Sequence, residues 1–123
     1  IAVPAIFILS GTQAGEGCVI ERTETDGAIR ALDGSSVCVA NHFETSLDAA
    51  GQGWRARPID SAGRVRAARA LGEESFATPF AWFKSPIANK NSRLVFSADA
   101  AAGTLRLIGT AGPKPVTAEF RLG

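Results

Sequence analysis

Two Asp-Gly pairs, Asp26-Gly27 and Asp33-Gly34, fall between short apolar runs and do most to limit what this chain can fold into. Asp-Gly accepts the positive φ angles of a tight hairpin, so each pair turns a strand back on itself. The runs at residues 18–22, 28–32 and 37–41 have strand length and strand-like composition. Together they predict a three-stranded antiparallel meander.

The flanking segments extend the pattern. Residues 5–10 form an apolar run bounded by Pro4 and Gly11, which predicts a buried strand. Gly11, Gly15 and Gly17 make the next stretch a loop. Residues 45–57 are polar and contain glycine, hence loop. Asp60 or Ser61 can cap a helix by accepting hydrogen bonds from its first free N–H groups. Strong helix formers then run over residues 62–71, and Gly72 stops them. Residues 75–84 are aromatic but broken by Pro79, which predicts a short helix or an ordered loop. Residues 93–98 read as a strand, 100–103 as a turn and 104–109 as the partner strand. Residues 112–115 break the chain, and 116–122 read as a last strand. The fold class is α+β, mostly antiparallel sheet with one or two helices.

At 123 residues the chain can bury one small core. Its net charge of +1 implies no polyanion partner, and its basic residues are scattered. The densest group is Arg55, Arg57, Arg64, Arg66 and Arg69, interleaved with Ala and Pro; as a nucleic-acid stripe it is weak. No apolar run reaches the ~18 residues of a membrane span. The apolar start at residues 1–9 lacks the basic flank of a signal peptide. The sequence contains no Met, and Ile1 is not a residue that Met removal usually exposes. A processed product or a fragment of a longer protein is the expectation.

The two cysteines, Cys18 and Cys38, are too few for a disulfide scaffold and slightly favour a reduced compartment. On the first and third strands of the meander they would lie ~10 Å apart, beyond disulfide reach, and so unpaired. No residue set has metal-ligand spacing, and the glycines of residues 11–17 match neither a P-loop nor a dinucleotide fingerprint.

Four residues could carry chemistry. Asn41 shares a strand face with Val37 and Val39 and ends it. Its side-chain N–H can aim at a developing oxyanion, or its amide can bond a loop backbone. Arg64 falls on one helix face with Ala67, Ala68 and Leu71, while Arg66 and Arg69 project elsewhere. A guanidinium among small residues needs a partner, unless it snorkels from the first turn. Glu16, between Gly15 and Gly17, reads by itself as an exposed loop carboxylate. His42 invites a dyad with Cys38, but even adjacent alternate strand positions lie ~7 Å apart, too far for a direct hydrogen bond.

The string G-E-G-x-V-I-x-R, met by Gly15 to Arg22, and the Ala-Asn-His of Ala40, Asn41 and His42 resemble the acid ceramidase, N-acylethanolamine acid amidase and penicillin acyltransferase families. These are N-terminal-nucleophile amidases. Asp60-Ser61-Ala62-Gly63-Arg64 resembles their D-x-R-type segment, although it lies farther from the Asn than in the ceramidases. Residues 89–95 and the Phe-Ser-Ala-Asp that follows look like their last hairpin. The likeness runs from about residue 5 to residue 122.

That resemblance implies the C-terminal portion of a single αββα sandwich over residues 1–123. It implies hydrolysis or transfer of an acyl group from a linear amide, such as a small-molecule or lipid amide, with no cofactor, no metal and no nucleic acid. The expected nucleophile is a Cys freed at a new N-terminus. It would lie in an N-terminal segment of the same protein, which becomes this chain's partner. Asn41 and Arg64 take the catalytic roles by this likeness, with Glu16 and His42 on the substrate-binding side. Relatives occur in bacteria and in lysosomes; a bacterial cytoplasm or periplasm is favoured. The rival reading is a non-catalytic β-rich binding or partner domain.

Overall fold

The computed structural model describes residues 5–32, 36–45 and 60–123. The Asp33-Gly34 turn, residues 46–57 of the expected loop, and Arg55 and Arg57 lie outside the described residues. The architecture is mixed α+β: antiparallel sheets with, among the described residues, one α-helix. No described helix is long and apolar enough to cross a membrane. The chain divides into two units, Ile1–Arg69 and Ala70–Gly123.

The first unit holds a sheet of order β1-β2-β3, with β1 at Ala5–Ser10, β2 at Gly17–Arg22 and β3 at Gly27–Ala31. Its β1–β2 loop is closed by Gly11 N–H donating to the Glu16 carbonyl at 2.9 Å. Gly15 turns the loop at φ +84°, a left-handed conformation that glycine adopts without strain. The β2–β3 hairpin forms where expected, but Asp26-Gly27 is not its centre. The Thr23 hydroxyl accepts from Asp26 N–H at 2.9 Å and Thr23 N–H donates to the Asp26 carbonyl at 2.8 Å. Gly27 is already the first residue of β3, paired with Arg22.

The meander is therefore shifted by one strand from the expected one. The run at 5–10 pairs with β2, and residues 37–41 form no strand. Side chains claim the backbone there: Arg30 Nη2 donates to the Cys38 carbonyl at 3.3 Å. The shared face expected for Val37, Val39 and Asn41 disappears with the strand. Both cysteines are nonetheless free and half-buried. Thiol titration of the unfolded, unreduced protein should find both, and a titration finding neither would contradict this arrangement.

The sheet's two faces are unusual. Register places Phe7, Ile20 and Ile29 in one row, with Leu9, Cys18 and Ala31 beside it. Phe7 is 50% exposed, Leu9 51% and Ile29 70%. The opposite face carries Val19 and Glu21, both fully buried. The ionic side chain is inside and much of the apolar face is outside.

Helix α1 spans Ser61–Arg69. Asp60 caps it: Gly63 N–H donates to Asp60 Oδ1 at 2.9 Å, and Arg64 N–H to the Asp60 carbonyl at 3.0 Å. Such a cap contributes about 1 kcal/mol. A Cβ on Gly63 would collide with the Asp60 carboxylate, so glycine leaves room for the cap. The helix ends two residues short of the expected Leu71. Ser61, Gly63 and Val65 are its buried residues; Val65 joins Val19 and Phe43 as this unit's buried apolar core.

In the second unit, a 3₁₀ turn at Glu73–Phe76 occupies part of the aromatic stretch, with Trp82 between Phe76 and Phe83 at 6.3 and 6.0 Å. Strand β4 at Leu94–Asp99 pairs with β5 at Thr104–Ala111, as the hairpin signal predicts. The expected last strand, residues 116–122, shrinks to β7 at Phe120–Leu122, and β6 at Lys114–Pro115 forms where a chain break was expected. Thr117 explains the lost ladder. Its hydroxyl accepts from Gly109 N–H at 2.9 Å, taking the place of a ladder bond. Glu119 then pairs with Arg106 and Arg121.

Candidate functional site

The site is an arch, residues 38–45, held against the β1–β3 sheet on one side and helix α1 on the other. Its crest is Asn41, which is exposed. Helix α1 reaches the arch three times. Arg64 Nη2 donates to Asn41 Oδ1. The Ser61 hydroxyl meets His42 Nδ1 at 2.8 Å. Arg69 Nη2 donates to Glu44 Oε2 at 2.7 Å.

The sheet grips the arch through Glu21 and Arg30. Glu21 Oε1 accepts from Arg30 Nε at 3.1 Å and from Glu44 N–H at 2.9 Å. Its Oε2 accepts from Thr45 N–H at 3.0 Å and from the Thr45 hydroxyl at 2.6 Å. Arg30 continues to Glu44 Oε2 at 2.7 Å and to the Cys38 carbonyl. Burial alone would push the Glu21 carboxyl up. The Glu44 N–H, the Thr45 hydroxyl and N–H, and the Arg30 charge outweigh it and hold the group below the usual carboxylate range.

The contact between Arg64 and Asn41 settles which way the amide points. A guanidinium only donates, so the atom it meets must be the amide oxygen. The Asn41 amino group is then the end turned away from Arg64, a donor at the exposed crest. That is the polarity an oxyanion needs.

Ser61, His42 and Glu44 have the composition of a hydrolytic triad but not its geometry. Ser61 is 1% exposed, so no substrate carbonyl can reach its hydroxyl. His42 Nε2 lies 3.9 Å from Glu44 Oε1, beyond a hydrogen bond. Ser61 and His42 fix the arch to the helix. With Nδ1 engaged by Ser61, His42 does not serve Cys38 through that nitrogen. Cys38 lines a cleft of about 210 Å³ with Arg30, Ala31, Ser36, Val37 and Arg69. Arg30 and Arg69 both turn to Glu44, which answers their charge.

Asn41, His42 and Arg64 are thus brought together, and Arg66 is exposed on the same helix. Glu16 is placed elsewhere. Its carboxylate accepts from Gln13 N–H at 3.0 Å inside its own loop, at the opposite end of β2 from Glu21. Sequence reasoning gave no site role to Glu21, Arg30, Glu44 or Ser61. One signal was present: on an alternating strand, Glu21 shares its face with Val19, a carboxylate in phase with a core residue. Among the described residues, no three His, Cys, Asp or Glu are grouped to hold a metal ion. The chain matches no protein-family model, no curated protein and no solved structure.

Proposed function

We propose that this chain supplies the oxyanion-holding part of an N-terminal-nucleophile amidase that cleaves or transfers the acyl group of a linear amide. The observation that carries this reading is the pinning of Asn41 Oδ1 by Arg64 on an exposed residue, which leaves the amino group to donate. A Cys from a segment outside these residues attacks the amide carbonyl. The carbonyl oxygen gains charge, and Asn41 donates to it. Arg64 keeps the amide from flipping and adds positive charge nearby. The leaving amine departs, and water or a second amine takes the acyl group. Glu16 belongs to a loop wall in this scheme, and His42 to the substrate side of the arch.

The parent fold in this reading is an αββα sandwich. The exposed Phe7, Leu9 and Ile29 support it, because the inner face of such a layer is apolar. The same face supports a second reading, a non-catalytic partner domain that binds through its sheet.

One experiment separates the two. Active material is purified, each chain in it is identified by intact mass and N-terminal sequencing, and hydrolysis of a fatty-acyl amide is measured. The amidase reading expects a second chain beginning with Cys, and no activity from the 123-residue chain alone. Turnover by a preparation holding only this chain would sink it. A stable, inactive, single species would favour the binding domain.

A further inference from the structure

We infer that Glu21 is a positioning residue for Asn41, acting as a buried clasp that sets the conformation of the arch. The catalytic half of this inference rests on the amidase reading; the clasp itself does not.

The argument begins with saturation. An ionised carboxylate offers about four acceptor sites and no donor. Glu21 fills them with four hydrogen bonds, three of which come from Glu44 and Thr45. These residues are in no strand, so their N–H groups have no ladder to join. Buried backbone donors must be answered somewhere, and here one side chain answers two of them. The fourth bond comes from Arg30, which also holds the Cys38 carbonyl. The Glu21–Arg30 pair therefore fixes both feet of the arch to β2 and β3. Asn41 stands between those feet, three residues from each of Cys38 and Glu44. Its backbone position is set from the sheet, while Arg64 sets only its amide. A displacement of about 1 Å at such a donor is enough to lower turnover by 10²-fold.

Glu21→Gln tests this in the full-length protein. The substitution keeps the shape but turns one acceptor into a donor facing other donors. Hydrogen exchange at the Glu44 and Thr45 amides should accelerate by about 10-fold or more, as expected when a charge-assisted hydrogen bond is lost. Turnover of a fatty-acyl amide should fall by a similar factor with KM little changed. In an Asn41→Ala background, Glu21→Gln should cost almost nothing further, because its effect passes through Asn41. Equal losses in both backgrounds would reduce Glu21 to general stability and overturn the positioning role. Unchanged exchange would overturn the clasp. If the wild type turns over no amide, the amidase reading and the positioning role fall together, and exchange alone then judges the clasp. Should Glu21→Gln not fold, Thr45→Val removes one hydroxyl bond to Glu21 and is read by the same measurements.

Discussion

On the amidase reading, Asn41→Ala is expected to lower amide turnover by about 10²–10³-fold, the loss that follows removal of one oxyanion donor. Stability should change little, since Asn41 is exposed. Arg64→Ala should damage activity too, because the Asn41 carbonyl loses the donor that orients it. Arg66→Ala removes the same charge from the same helix, but at an exposed position, and should be near neutral. Comparing initial rates of the two arginine variants checks the assignment. Equal effects would mean that Arg64 does not serve the site. A stable Asn41→Ala enzyme with full turnover would falsify the oxyanion role.

The largest expected change in stability is at Glu21. Glu21→Ala removes one of the two carboxylate partners of Arg30 and leaves the Glu44 and Thr45 N–H groups without this acceptor. Each donor left unanswered in this way costs about 1–3 kcal/mol, so the total loss should be about 3–5 kcal/mol. Urea unfolding at neutral pH measures it, and a loss under about 1 kcal/mol would show that the carboxylate is not needed. The pH dependence has a definite sign. The folded-state carboxyl lies below 4.5, the value it returns to when unfolded. Its stabilisation is complete above that value and is lost as pH falls through the lower folded-state value. Wild-type stability should drop in this acid window, and Glu21→Ala should drop less over the same range.

The local elements were legible because local chemistry makes them. Strand-like runs on either side of Asp26-Gly27 marked β2 and β3, Asp60 or Ser61 marked the start of α1, and the turn at residues 100–103 marked the β4–β5 hairpin. The misreadings share one cause. At residues 37–41 the alternation of Val37 and Val39 promised a strand, but Arg30 captured the Cys38 carbonyl and the ladder never formed. At residues 116–119 the Thr117 hydroxyl replaced a backbone partner. In each case a side chain eight residues from the backbone group it bonds outbid the neighbouring strand, and neither alternation nor strand propensity reports that competition. The site divides the same way. Asn41 and Arg64 were visible as residue types in motifs. Their meeting across 23 residues, and the pairing of Ser61 with His42, depended on how the arch lies against the helix.

The inverted faces of the first sheet bear on how its strands find their alignment. In most half-buried sheets, oil-like side chains choose which way a strand faces. Here, moving β2 by one residue would turn Ile20 and Cys18 inward and Glu21 outward, since neighbouring side chains point to opposite sides. Greasiness alone would favour that slip. What opposes it is ionic: the slipped strand would abandon the donors of Arg30, Glu44 and Thr45 together. The phase of this sheet is therefore written by one acid and its four hydrogen bonds, and the apolar residues follow.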